Sequence, residues 1–126
     1  MEKTTAAKFS IGRFLLGGKH FALTLEFATS GQVSGKGRIS QSTNPPLSLS
    51  TTVSGACEVL GAGDTGQVIT LTGHEASTGL VNVHATLTIN SKNRKIGVAS
   101  YKYLNNPGEW VEELRVPVSV KWLKST

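Results

Sequence analysis

Apolar and polar positions alternate with a period of two through most of the chain, and the alternation is cleanest over residues 20–28. There Phe21, Leu23, Leu25 and Phe27 fall on one side and Ala22, Thr24, Glu26 and Ala28 on the other, the mark of a half-buried strand. Residues 80–90 repeat it, with Val81, Val83, Ala85, Leu87 and Ile89 inward and Asn82, His84, Thr86 and Thr88 outward. Residues 9–16 read as a first strand closing at Gly17-Gly18. Residues 32–41 set Val33, Gly35, Gly37 and Ile39 against Ser34, Lys36, Arg38 and Ser40. Two glycines on an apolar face leave space. A large neighbour fills it, or the strand bends there at a bulge or barrel corner, or a cavity results.

Turn chemistry punctuates the pattern. Asn44-Pro45-Pro46 stops the third strand, because consecutive prolines supply no ladder donors, and Leu47, Leu49, Thr51 and Val53 begin the next. Residues 55–60 and 67–72 flank a turn-rich loop at 61–66, giving a hairpin. Residues 95–104 and 109–123 form a last pair, with Pro117 predicting an edge position, a bulge or two shorter strands. A helix over 106–114, capped at Asn106 with Pro107 and Glu109 in its first turn, is the alternative there. A hairpin with a four-residue loop is preferred, setting Leu104 opposite Glu109 and Tyr103 opposite Trp110. The expected fold is all-β, a single antiparallel β-sandwich or barrel of about eight strands with little or no helix. It forms one domain over 1–126, with residues 1–8 as a flexible N-terminal segment. Val33-Ser-Gly35 recurs as Val53-Ser-Gly55, which composition alone can explain.

Composition fits this picture: 14 Gly among 126 residues and only 17% charged residues disfavour helices. The first residues carry charge with no long apolar run behind them, so neither a signal peptide nor a membrane anchor is expected. A single cysteine, Cys57, cannot form an internal disulfide, and the expected location is cytoplasmic, leaderless export apart. The net charge is +5, and acids are absent between Glu26 and Glu58 and between Glu75 and Glu109. If these spans lie together, one face is positive. Lys36 and Arg38, with the Asn44, Pro45 and Pro46 loop, are therefore candidate partner-binding residues. Lys92, Arg94 and Lys95 form a candidate basic rim.

Catalytic chemistry finds little support. Gly61-Ala-Gly-Asp-Thr-Gly66 matches the dinucleotide fingerprint, but the fingerprint needs a helix after its third glycine, and Gln67-Val-Ile-Thr-Leu-Thr72 is strand-like. The chain has one aspartate, Asp64, and three histidines, His20, His74 and His84, and no nucleophile-elbow motif. Cys57, His74, His84 and Asp64 lack metal-ligand spacing. No catalytic residue, cofactor or metal is expected. The expected function is a non-enzymatic binding or assembly module whose partner is another protein, or a second copy joined through an edge strand. The alternatives are a β-barrel carrier of a small apolar ligand and a single-stranded nucleic-acid binder. The latter is not favoured, since the core must use most of the eight aromatics.

Gly35-Lys-Gly-Arg-Ile-Ser-Gln41, followed by Asn44-Pro-Pro-Leu47, resembles a segment of a family of small uncharacterised bacterial proteins known only as a domain of unknown function. Ala99-Ser-Tyr-Lys-Tyr-Leu104, with Gly108 and Trp110 after it, is similar to a second element of that family. The resemblance covers under a third of the chain and leaves residues 61–66 unmatched. It implies a compact bacterial β domain and brings no activity, cofactor or site residue.

Overall fold

The periodic segments fold into eight strands in the computed structural model, which describes residues 5–12, 18–42, 46–59, 65–105 and 108–123. They are β1 (Thr5–Ile11), β2 (His20–Phe27), β3 (Gln32–Gln41), β4 (Leu47–Val59), β5 (Thr65–His74), β6 (Val81–Asn90), β7 (Ile96–Leu104) and β8 (Trp110–Trp122). Each pairs antiparallel with the next, and β8 pairs back onto β1 to close a barrel. Closure leaves no free edge, so the expected association through an edge strand is corrected: every strand already has two neighbours. Thr5–Lys8, expected within a flexible segment, form part of β1, because β8 needs a partner and Ala7, Lys8 and Phe9 supply it.

Inward positions form one continuous apolar core. Phe9, Ile11, Phe21, Leu23, Leu25, Ile39, Ile69, Leu71, Leu87 and Ile89 are all fully or almost fully buried. Phe21 meets Tyr101 at a centroid distance of 5.0 Å, while Phe9, Phe27 and Trp122 cluster at the end that carries the β2–β3 connection. Outward positions are mostly Ser, Thr and charged residues, the reverse of the apolar outer band of a membrane barrel. No helix among the described residues is long and apolar enough to cross a membrane.

The glycines on β3 act as close-approach points. A Cβ on Gly35 would sit 1.9 Å from the Thr24 carbonyl oxygen, so only glycine lets β3 bend this tightly against β2. At Gly37 the space is taken by Leu23 and Phe21, whose side-chain carbons lie 2.5 and 2.8 Å from the missing Cβ. One inward glycine therefore marks a bend and the other accommodates large neighbours. The recurring triplet has a structural basis as well. Val33 pairs with Gly55 and Gly35 with Val53, so the two Val-Ser-Gly units face each other antiparallel. Gly55 repeats the bend, its Cβ position lying 1.7 Å from the Thr70 carbonyl oxygen.

Register shifts interrupt the β5–β6 ladder twice and the β7–β8 ladder once, and two of the three bear on the expected register. Asn82, expected outward, is the extra residue where β6 slips against β5 between Gly73 and His74. Its buried side chain reaches past Gly73 to accept from the Thr51 hydroxyl at 2.7 Å and to donate to the Ser50 carbonyl at 3.2 Å. The second bulge lies in β8 just before Pro117, where Arg115 adopts φ 53° and its N–H donates to Ser100 Oγ. The β7–β8 hairpin forms as expected in type but one residue out of register. Asn105 and Glu109 bond each other, so Leu104 faces Trp110 and Tyr103 faces Val111. Tyr103 points into the core and Trp110 out of it, and the expected Tyr103–Trp110 pair is not formed.

Candidate functional site

Lys36 and Arg38 stand outward on β3, as their alternation requires. Arg38 is engaged locally, donating to Ser48 Oγ from Nε at 3.1 Å and from an Nη at 2.6 Å. Pro46 borders a mouth cavity of about 730 Å³ with Leu47, Leu49, Leu104 and Asn82. Asn44 and Pro45 lie outside the described residues, as do Asp64 and most of the 61–66 loop.

The basic rim sits elsewhere. Lys92, Arg94 and Lys95 occupy the β6–β7 turn, shaped by Asn90 Oδ1 accepting from the N–H groups of Lys92 and Asn93 and by Asn93 Oδ1 accepting from that of Lys95. Arg94 stacks its guanidinium 4.3 Å from the centroid of the Trp122 ring, whose indole N–H donates to the Arg94 carbonyl at 2.9 Å. That arginine latches the turn to β8. Burial pushes the Cys57 thiol above its ordinary pKa, and the Arg94 charge opposes the shift. Since β3 and β7 are four strands apart in a ring of eight, Lys36 and Arg38 do not lie beside Lys102, and the condition set for one positive face, that the two acid-free spans lie together, is not met by these strands.

At the mouth carrying the β1–β2 connection, Lys19 Nζ donates to Glu113 at 2.6 Å and lies 4.8 Å from the Tyr103 ring centroid. Burial lowers the Lys19 pKa, but hydrogen bonds to Glu113 and Tyr103 outweigh it and hold the value above normal. Tyr101, beneath this pair, is raised by burial first and then by the Glu113 and Tyr103 charges. Ser10 Oγ and His20 Nε2 meet at 2.6 Å, a hydroxyl–imidazole pair across β1 and β2 that no sequence motif signals. Among the described residues the ring has no third group to orient it as a base, and the bond ties β2 to β1 beside the bend at Gly12. His74 and His84 lie on adjacent strands, yet no group of three or more His, Cys, Asp and Glu suited to a metal gathers among the described residues.

The most distinctive surface is the outer wall of β7 and β8. Ile96 (48% exposed), Val98 (46%), Trp110 (46%) and Leu114 (64%) lie on these two neighbouring strands. They account for four of the six large hydrophobics exposed among the described residues. Trp110 packs on His84 at a centroid distance of 5.6 Å and carries Lys102 Nζ at 5.4 Å. Beside them an open groove of about 400 Å³ runs over Thr70, Thr86 and Ser100 to Glu112 and Leu114. Lys102 and Glu112 are register partners, yet neither takes part in the ion pair that the described residues form. Sequence reasoning missed this wall because the one-residue error in the hairpin put Trp110 against Tyr103.

No curated protein matches the chain. The profile of a domain of unknown function, DUF1842, matches residues 5–110, a span that runs from the first strand of the barrel to the start of the last, and this chain belongs to that family.

Proposed function

We propose that this barrel is a non-enzymatic assembly module that pairs with a second copy of itself through the outer wall of β7 and β8. The observation that carries the reading is the concentration of exposed Ile96, Val98, Trp110 and Leu114 on one wall of a barrel whose other outward positions are mostly small and polar. Exposed apolar stripes rimmed by charge mark interaction surfaces, and a half-exposed tryptophan is a common anchor. The wall is also self-complementary. A two-fold axis running along the strands between Lys102 and Glu112 sets each of them against its opposite in the other copy. Face-to-face docking of this type needs no free strand edge. An interior carrier role is less well supported, because Phe21 and Leu23 occupy the space beside Gly37.

Sedimentation equilibrium tests the proposal. The expected species has twice the 13.3 kDa chain mass, and Leu114→Asp converts it to monomer. Lys102→Glu alone also gives monomer, while Lys102→Glu/Glu112→Lys restores the dimer. A strictly monomeric parent protein at high micromolar concentration overturns it, as does a charge-swapped double variant that folds but stays monomeric.

A further inference from the structure

Closing the barrel brings β8 beside β1 and creates a basic band that the linear sequence hides. Lys8 is the register partner of Lys121 on one side and of Thr24 on the other, and Thr24 in turn pairs with Lys36. Lys121, Lys8, Thr24 and Lys36 thus form one row across four strands, all exposed. With about 4.8 Å between strands, the row spans roughly 14 Å. In the next row Ser119, Ser10, Ala22 and Arg38 follow in register. Between β8, β1 and β2 lies an open groove of about 400 Å³ bordered by Lys8, Lys121, Ser10, Ser119 and Thr24. The nearest acid on this wall is Glu26, one row toward the β2–β3 end, opposite Ala6 and Ser34.

Like charges placed directly opposite on neighbouring strands destabilise a sheet, and Lys8 and Lys121 are so placed with no acid between them. An anion lying along the row relieves that repulsion. Three lysines and an arginine strung over four strands fit an extended chain of negative charges better than a single anion, and the hydroxyls of Ser119 and Thr24 add neutral donors for phosphate oxygens. Neither the Lys121, Lys8, Thr24, Lys36 row nor the Ser119, Ser10, Ala22, Arg38 row contains an aromatic side chain, so these rows offer no platform for stacking bases. A flexible single strand can follow the convex barrel, whereas a duplex, stiff over about 50 nm, touches it only tangentially. We infer that the wall formed by β8, β1, β2 and β3 binds the phosphate backbone of single-stranded nucleic acid without sequence preference, through Lys8, Lys121, Lys36 and Arg38. This site shares β8 with the proposed self-association surface but uses Ser119 and Lys121 where that surface uses Trp110 and Leu114, and nucleic-acid binding is read separately from the oligomeric state.

Fluorescence anisotropy with a labelled 20-nucleotide oligothymidine tests the inference. Four phosphate contacts on a single strand give a slope of log affinity against log salt of about −2.8, so affinity falls about 50-fold between 50 and 200 mM salt. Lys8→Ala/Lys121→Ala removes two contacts, and the same interval then costs about 7-fold. Absence of binding at 50 mM salt overturns the inference. So does a Lys8→Ala/Lys121→Ala variant with the parent's salt dependence, or a duplex of the same length that binds as tightly as the single strand.

Discussion

Substituting alanine at Gly35 and at Gly37, two residues apart on one strand, should have very different consequences. At Gly35 the added Cβ would lie 1.9 Å from the Thr24 carbonyl oxygen and 2.9 Å from its carbon. Both are backbone atoms, so relief requires β3 to move more than 1 Å from β2. In a closed barrel that motion opens ladder bonds on both sides of the Leu25–Gly35 pair. Two broken hydrogen bonds at about 1 kcal/mol each, added to overpacking strain of about 1–3 kcal/mol, give a loss of roughly 3–5 kcal/mol. The gain of about 0.4–1 kcal/mol from a less flexible unfolded chain offsets only part of it. At Gly37 the nearest atoms, Leu23 Cδ2 at 2.5 Å and Phe21 Cε1 at 2.8 Å, are side-chain ends that can shift within the core, and the net loss should be about 1 kcal/mol. Urea unfolding followed by tryptophan fluorescence measures both variants, read from the midpoint at constant slope. Gly55→Ala should behave like Gly35→Ala, since its Cβ position lies 1.7 Å from the Thr70 carbonyl oxygen. If Gly35→Ala proves no more than 1 kcal/mol less stable than Gly37→Ala, the close-approach account of the β2–β3 bend is wrong.

The mouth cluster predicts alkaline sensitivity. Lys19 and Tyr101 both have folded pKa values above their ordinary 10.5 and 10.0, so the native state holds these protons more tightly than the unfolded chain. Their contribution is complete below about pH 10 and is lost as pH rises through the raised values. Melting temperatures measured from pH 9 to 11.5 should fall, and less steeply in Tyr101→Phe; an equal slope in that variant removes Tyr101 from the account. Asn82→Ala should cost about 1–3 kcal/mol in urea unfolding by leaving the buried Thr51 hydroxyl without its 2.7 Å acceptor, and a change within 0.5 kcal/mol argues against that bond.

The fold was largely legible because its determinants are local. Period-two alternation sets the inward residues of β2 and β6, and glycine, proline and asparagine mark where strands end, so an all-β antiparallel domain of eight strands follows from the chain itself. The choice of barrel over sandwich was not legible, because it rests on the pairing of β1 with β8, whose residues are more than one hundred positions apart. Asn82 shows a different limit. Its outward parity in the sequence is reversed by a bulge at Gly73, and a single inserted residue carries no composition signal that would expose it.

The candidate surfaces were less legible than the fold for the same physical reason, since a binding wall consists of rows across strands and rows depend on register. Shifting a pairing by one residue exchanges inner and outer faces, and the β7–β8 hairpin shows the effect. A pairing one residue further along β8 than expected takes Trp110 from a cross-strand partner of Tyr103 to the outer wall beside Lys102 and His84. Lys36 and Arg38 could be recognised as an outward pair from β3 alone. Their neighbours Lys8 and Lys121 could not, because nothing in either segment announces that closure will set them opposite each other. In a closed meander barrel, then, the residues most exposed to long-range pairing belong to the first and last strands. Substitutions there, at Lys8 and Lys121, separate a role for the assembled wall from one for β3 by itself: a β3-only site tolerates their loss, and a site built by closure does not.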